Sequence, residues 1–291
     1  MSEIIKPEVK VFFEGVTNTV TSVVRDPQSR SVAIIDSVLD FDYAAGRTFS
    51  HSADEVIDYI QSHALQVEWI LETHAHADHL SAAPYLKAKL GGQIAIGEHI
   101  REVQGVFGEV FNEGELFLRD GSQFDRLFSD GDTFQIGSMK VEVLYTPGHT
   151  PACVSYLVGD ALFVGDTLFM PDFGTARCDF PGGSAEKLYH SVQRLLELPD
   201  ETRMFVGHDY KAQGRDNYAW ETTVGAQREG NVHVGAGRAM ADFVEMRAAR
   251  DATLNMPRLI LPAIQVNIRA GNMPEPDEQN RVFLKVPVNG I

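Results

Sequence analysis

Residues 73–79 read THAHADH, so that His74, His76, Asp78 and His79 fall within six positions of a chain with only ten histidines. Imidazole nitrogens and carboxylate oxygens are the donor atoms with which proteins bind divalent zinc, iron or manganese. The apolar stretch VEWILE comes immediately before the motif and is typical of a buried strand. The spacing therefore predicts a metal site where this strand ends.

Three further donors of the same kind follow other apolar stretches. His149 stands in TPGHT, Asp166 in FVGDT and His208 in FVGHDY, and the successive separations from His74 are 75, 17 and 42 residues. A glycine precedes each of the three, which permits a tight turn at that point. A single histidine after a strand is more often an ordinary loop residue. The repetition at four strand ends instead indicates one site assembled from all of them.

The elements that must position these donors can be predicted from hydrophobic periodicity. Strands are expected at 31–36, 67–72, 92–97, 139–146 and 204–206, with a hairpin over 154–164. Helices are expected from a capping box of Ser52 and Glu55, over 80–90 and over 186–198. Residues 98–130 show no clear pattern and are interpreted as an insertion. Strands and helices that alternate in this way predict an α/β layered domain, in which a two-sheet core is one option.

Composition and charge narrow the class of protein. Among 291 residues, 41 acidic side chains outweigh 25 basic ones, and a net charge of −16 disfavours nucleic acid as a partner. No apolar run is long enough to cross a membrane, and the N-terminus does not resemble a signal peptide. Two cysteines fit a reducing compartment, so a cytoplasmic location is expected. The assembly state is open, with a homodimer as one option.

The motifs together resemble those of the metallo-β-lactamase superfamily. HAHADH, the PGHT around His149, the GDT around Asp166 and the GHD around His208 follow that family's order over about residues 10–210. The resemblance implies an αββα four-layer sandwich over residues 1–215, with metal at one edge between the sheets. It also implies a helical and loop C-terminal extension, residues 216–291, packed on the same domain.

Finer features resemble the persulfide dioxygenase branch, which is close to the glyoxalase II type hydrolases. These features are ARCDF at 176–180, GGSAEKLYHSV at 182–192, GHDY at 207–210 and the tail at 255–276. Glyoxalase II proteins usually carry an aromatic residue before the aspartate of the first motif, and here that residue is Ala77.

This branch implies one Fe(II) per chain, held by His74, His149 and Asp166. Two histidines and one carboxylate leave coordination positions open for a persulfide sulfur and for O2. Both oxygen atoms would end on the terminal sulfur of glutathione persulfide, and water would then release sulfite and glutathione. The persulfide itself supplies the electrons, so no reducing cofactor is expected.

The remaining donors of the motifs are expected to act in catalysis without binding the iron. His76, Asp78, His79 and His208 would hydrogen-bond water and orient the ligands. In relatives with two metals, the last three of these hold a second ion and His76 helps to hold the first. Because all four are present, the sequence leaves both arrangements open.

Recognition of glutathione, which is anionic, requires a local cation on an acidic protein. Arg177 is the best candidate by family pattern, the hydroxyl of Tyr210 is a second, and Lys211 and Arg215 are weaker ones. Two other functions stay open beside persulfide dioxygenation. One is a glyoxalase II type thioester hydrolase with two metals, and the other is a non-catalytic metal-binding scaffold.

Overall fold

Two six-stranded β-sheets and one small sheet carry seven helices in the computed structural model, which describes residues 5–290. The strands are β1 (Glu8–Glu14), β2 (Thr19–Arg25), β3 (Ser31–Ile35), β4 (Val38–Asp42), β5 (Arg47–Phe49), β6 (Gln66–Leu71), β7 (Leu80–Ser81), β8 (Gln93–Gly97), β9 (Arg126–Phe128), β10 (Thr133–Ile136), β11 (Met139–Tyr145), β12 (Val154–Val158), β13 (Ala161–Phe163), β14 (Arg203–Phe205) and β15 (Glu221–Thr223). The helices are α1 (His51–Ser62), α2 (Ala83–Leu90), α3 (Ile100–Val110), α4 (Ala185–Leu196), α5 (Val224–Gly230), α6 (Met240–Asp251) and α7 (Ile260–Asn267).

The strand order explains why the donors can converge. The first sheet runs β1-β2-β3-β6-β8-β9, with parallel pairing from β3 through β9. The second sheet runs β10-β11-β12-β13-β14-β15, and only β13 and β14 pair in parallel. Parallel neighbours end at the same edge, so the loops that follow β6, β13 and β14 begin at corresponding edges of the two sheets.

Hydrophobic burial divides the molecule into four layers. Apolar side chains of both sheets, such as Leu71 and Tyr156, pack face to face in one buried cluster. The outer face of the first sheet is covered by helices that include α1, α2 and α3, and a second buried cluster there contains Phe107 of α3. Helices α4, α5 and α6 cover the second sheet, where Phe243 is fully buried. The predicted αββα sandwich is confirmed.

Most predicted elements lie within two residues of the observed ones, but three predictions need correction. Helix α1 begins at His51, and its N-cap is Ser50, not the predicted Ser52, whose hydroxyl instead donates to Asp40. The helix predicted from Leu80 begins at Ala83, because Leu80 pairs in the short strand β7. The segment 98–130 is not irregular throughout, since it forms α3 and the edge strand β9. Within residues 5–290, no helix has the length and hydropathy needed to cross a membrane.

Candidate metal centre

The loops after four strands bring the predicted donors to one edge of the two sheets. His74 follows β6, His149 follows β11 and Asp166 follows β13, and donor atoms of these three residues lie within 4.8 Å of one another. Asp166 Oδ2 is 3.8 Å from His74 Nε2 and 3.7 Å from His149 Nε2. All three side chains are buried. We refer to His74, His149 and Asp166 as the triad.

Two of the flanking glycines are required by this close approach. Gly165 has a φ of 50°, and a Cβ added there would lie 2.3 Å from the hydroxyl of Thr73. Gly148 has a φ of 140°, and a Cβ there would lie 2.3 Å from the backbone of Leu188. An L-residue is strained at such φ angles, and here it would also collide with its neighbours. The turns that carry Asp166 and His149 therefore depend on glycine.

The hydrogen bonds of the triad leave the right atoms free for a metal. The Thr73 hydroxyl donates to Asp36, so it can only accept from His74 Nδ1, which lies 3.0 Å away. His149 Nδ1 donates to the carbonyl of Arg177 over 2.8 Å. In each ring the bond at Nδ1 leaves Nε2 as the nitrogen that can bind a metal, and His74 Nε2 is buried without any hydrogen-bond partner. Two such imidazoles and a carboxylate fit a divalent ion of the iron or zinc type.

A second set of donors lies beside the triad, and we refer to Asp78, His79 and His208 as the neighbouring group. His208 uses both ring nitrogens within the protein, with Nδ1 2.8 Å from Asp166 Oδ1 and Nε2 2.5 Å from Asp78 Oδ2. His79 Nδ1 lies 3.5 Å from Asp78 Oδ2, whereas its Nε2 is buried without a hydrogen-bond partner. His208 therefore links the two sets of donors.

The buried charges of this centre stabilise one another. Burial alone would lower the pKa of His208, but the carboxylates of Asp166 and Asp78 outweigh it and raise that pKa to about 10. Burial would raise the pKa of Asp166, and the adjacent His208 overcomes this effect and holds that pKa well below its usual range. Burial and the neighbouring His76 lower the pKa of His74 well below its usual value. His74 is thus held in the neutral form that a metal ligand needs.

His76 is fixed by two carboxylates that the sequence motifs do not include. Its Nε2 lies 3.0 Å from Asp36 Oδ1 and 3.4 Å from Glu72 Oε2, and its Nδ1 is buried without a partner. Asp36 also accepts from the backbone N–H of Thr73 over 2.8 Å. These contacts set the direction of the ring and the start of the donor loop. Asp36 is the last residue of the predicted strand 31–36, so the sequence shows a carboxylate at a strand end. The sequence does not show that this carboxylate contacts His76.

Asn267, at the end of α7, is a further residue that sequence reasoning missed. Its side-chain amide donates to the carbonyls of His76 and His79, each over 2.8 Å, and its oxygen accepts from the N–H of Ser81. One side chain thereby holds three backbone groups of the donor loop. No signal in the sequence connects an asparagine in the C-terminal tail with a loop 191 residues earlier.

A cleft of about 610 Å³ opens onto the centre and is lined by Asp78, His149 and Asp166. Much of its wall is aromatic, with Phe169, Phe173, Phe180 and Tyr210 among the lining residues. The Tyr210 ring is stacked with that of His208 at a centroid distance of 5.7 Å. An apolar cleft with a few polar groups is the usual form of a site for a small molecule.

The predicted substrate-binding residues lie in different surroundings. Arg177 and Tyr210 line the cleft, but the guanidinium of Arg177 already makes two hydrogen bonds to Asp179 and one to the carbonyl of Asn255. Lys211 lies over the ring of Tyr218 and lines a separate depression.

Arg215, the fourth predicted substrate-binding residue, is held by Asp172 and Asp209. Two lining residues were missed, Arg250 and Arg258, and neither guanidinium makes a hydrogen bond or ion pair with any residue between 5 and 290. Exposed arginines carry no signal in a single sequence.

The fold and the donors together define a class of protein. The sequence profile of the Metallo-beta-lactamase superfamily matches residues 15–208, and the chain belongs to that superfamily. It is 51% identical to a probable metallo-hydrolase of Burkholderia pseudomallei, over 97% of this chain and 99% of that protein. Glyoxylase B2 of Dictyostelium discoideum is 48% identical, over 98% of each chain.

Persulfide dioxygenases are also among the relatives. The human mitochondrial persulfide dioxygenase ETHE1 is 30% identical, over 69% of this chain and 68% of that protein. The crystal structure of ETHE1 from Myxococcus xanthus superposes with a TM-score of 0.72 and 28% identity, over 91% of this chain and 100% of that one. These relatives agree on an enzyme of the metallo-β-lactamase fold, and their names divide between hydrolysis and oxygenation.

Proposed function

We propose that this protein is a persulfide dioxygenase that binds one Fe(II) through the triad. The observation that carries the proposal is the difference between the two sets of donors. In the triad, the donor atoms of two imidazoles and a carboxylate lie within 4.8 Å of one another, and Nε2 of His74 is buried without a hydrogen-bond partner. In the neighbouring group, Nε2 of His208 already has protein atoms around it, since it lies 2.5 Å from Asp78 Oδ2 and 3.1 Å from the hydroxyl of Thr19. One site for a metal with two histidines and one carboxylate is the arrangement used by non-haem Fe(II) oxygenases.

When bound, the iron would supply open positions at which a persulfide sulfur and O2 react. The protein's own residues would bind and orient these reactants. His208 holds Oδ1 of Asp166, which leaves Oδ2 as the oxygen that faces the two histidines. Phe169 and Phe180 line the cleft beside these ligands and would exclude water from the reacting sulfur. Limited access of water during oxygen transfer would favour transfer of both oxygen atoms to sulfur, and one water would enter afterwards to release sulfite and glutathione.

The charge of the cleft supports an anionic thiol such as glutathione as the carrier of the persulfide. Arg250 and Arg258 line the same cleft as Asp166, and neither forms an ion pair with a carboxylate of residues 5–290, although the Arg250 guanidinium lies over the ring of Phe173. An extended carrier could place its carboxylates on these arginines and its sulfur at the triad. Arg177 stays a predicted contributor, with Asp179 as a competing partner. Tyr210 stays a predicted hydroxyl donor, and Lys211 and Arg215 stay weaker candidates.

A thioester hydrolase with two metals is the second candidate, and specific observations favour it. His76, Asp78 and His79 also have donor atoms within 4.8 Å of one another, and one nitrogen of each of these two histidines is buried without a partner. Two metals would lower the pKa of a bound water toward about 7 and thus supply a nucleophile. The more similar relatives carry hydrolase-type names.

Metal content and oxygen consumption separate the two candidates. The protein is purified without oxygen, its metals are counted, and it is offered glutathione persulfide in an oxygen electrode and S-lactoylglutathione in a separate assay. We expect about one iron per chain, oxygen uptake with sulfite formation, and no thioester hydrolysis. Asp166→Ala serves as the metal-depleted control. Two ions per chain, rapid thioester hydrolysis and no oxygen uptake would overturn the proposal.

A further inference from the structure

Arg247 of α6 is a charged side chain that is only 1% exposed. Its partner is Asp251, one turn later in the same helix, and Nε of Arg247 lies 2.9 Å from Asp251 Oδ1. Burying two charges costs free energy that their attraction often fails to exceed, so such a pair is a weak source of stability by itself. Its contacts outside the helix point to another role.

Among residues 5–290, the hydrogen bonds that these two side chains make outside α6 all go to one short segment, residues 175–178. Arg247 Nη1 donates to the carbonyl of Thr175 over 3.2 Å. Asp251 Oδ2 accepts from the backbone N–H of Cys178 over 2.9 Å. The pair therefore holds the segment at both of its ends, through a donor at one end and an acceptor at the other.

Between these two ends lies Arg177. Its backbone carbonyl accepts the hydrogen bond from His149 Nδ1 over 2.8 Å. The partner of one imidazole nitrogen fixes the orientation of the ring and the direction of the other nitrogen. The position of the Arg177 carbonyl thus determines where Nε2 of His149 points. A continuous series of contacts runs from the buried pair of α6 to a residue of the triad.

We propose that Arg247 and Asp251 are positioning residues for His149 and act through the backbone of residues 175–178. The inference rests on the proposed role of His149 as a metal ligand and does not depend on the reaction that the metal supports. It gives α6, which lies outside the matched region 15–208, a part in the metal centre.

The test measures metal binding and ring orientation in the full-length protein. Arg247→Met and Asp251→Asn each break the series of contacts at one point. Co(II), titrated without oxygen against a competing chelator, reports affinity. Nitrogen-15 spectra of the histidines in Zn(II)-loaded protein report the hydrogen bond of His149, whose resonance is assigned with His149→Gln. We expect an affinity about 10–100-fold lower in both variants, and a shifted His149 Nδ1 resonance.

A matched control is available in the pair of Arg281 and Asp277. These residues have the same types and the same four-residue separation, but Arg281 is exposed, Asp277 is only half-buried, and neither lines the cleft. Arg281→Met and Asp277→Asn should leave the Co(II) affinity and the His149 resonance unchanged.

Wild-type affinity and an unshifted His149 resonance in both α6 variants would overturn the inference, whatever happens to their melting temperature. If Arg247→Met does not fold, Arg247→Lys keeps the charge beside Asp251 but lacks the planar fork that also reaches Thr175. Weaker Co(II) binding by that variant supports the inference, and unchanged binding overturns it. A wild-type protein that binds no Co(II) would overturn the metal centre as well, so the two failures are distinguishable.

Discussion

The triad and the neighbouring group contain the same kinds of side chain and lie side by side, yet they are prepared differently. In His74 and in His149, Nδ1 makes a hydrogen bond within the protein, which leaves Nε2 for a metal. Both nitrogens of His208 instead lie close to protein oxygens, with Asp166 Oδ1 2.8 Å from Nδ1 and Asp78 Oδ2 2.5 Å from Nε2. The residue types present therefore do not by themselves determine how many metals such a centre binds. The hydrogen bonds that those residues already make also matter.

Removing a triad residue should have the largest effect. We expect metal affinity to fall by more than about 100-fold in each of the variants Asp166→Ala, His74→Ala and His149→Ala. Substitution of a residue that only orients a metal ligand already lowers affinity or activity about 10–100-fold. The fold should survive, since the core between the sheets contains no triad side chain. Iron analysis after purification without oxygen, with circular dichroism as the folding control, checks this. A variant with normal iron content would remove its residue from the triad.

His208→Ala should distinguish the neighbouring group from the triad. We expect most of the iron to remain and oxygen uptake to fall about 10–100-fold, because Asp166 loses the partner that holds its Oδ1. His208→Gln, which can still donate one hydrogen bond, should restore part of the activity. Complete loss of iron from His208→Ala would make this residue a ligand and would favour the reading with two metals.

Substitution of Arg250 and Arg258, which line the cleft, should weaken substrate binding and leave the iron content unchanged. Arg250→Gln combined with Arg258→Gln should raise KM for glutathione persulfide about tenfold, which corresponds to about 1.4 kcal/mol. An exposed ion pair contributes about 0.2–1 kcal/mol, so two together reach this range. For the persulfide of a glutathione diester, which lacks the free carboxylates, wild type and the double variant should have the same KM. Arg47→Gln, an exposed arginine outside the cleft, is the control. Equal KM values for wild type and the double variant would exclude the two arginines from carrier binding.

The smallest effect concerns acid stability away from the donors. His233 is buried, and burial, together with the nearby Arg247, Arg250 and Arg238, lowers its pKa to about 4. The unfolded chain therefore takes up a proton near pH 6.5 that the folded protein accepts only near pH 4. Stability is full above pH 6.5 and falls as the pH drops toward 4, by at most about 3 kcal/mol.

His233→Gln should reduce this acid sensitivity, as measured by denaturant midpoints at pH 7 and pH 5. A variant as acid-sensitive as the wild type would show that other groups dominate.

Short apolar runs and helical spacing in the sequence were sufficient to predict the strands and helices that have such a pattern. The stretches that became β3, β6 and β8 are short apolar runs, and such runs bury as strands wherever the sheet places them. The N-terminal strands β1 and β2 were not predicted, because their exposed or polar positions interrupt the apolar run. Helix α3 was missed although its buried residues have helical spacing, since glycines and acids surround it.

The donor types and their positions after strand ends were determined by the sequence itself, because imidazoles and carboxylates bind metals wherever a turn presents them. Only the tertiary structure decided which nitrogen of each ring stays free. It did so through Thr73 and Arg177, whose side chain and carbonyl occupy the other nitrogens of His74 and His149. It also decided that Arg215 forms ion pairs with carboxylates, whereas Arg250 lies over the ring of Phe173 and lines the cleft. The physical reason is that a hydrogen bond or ion pair depends on the partner that folding brings near, and those partners lie far away in sequence.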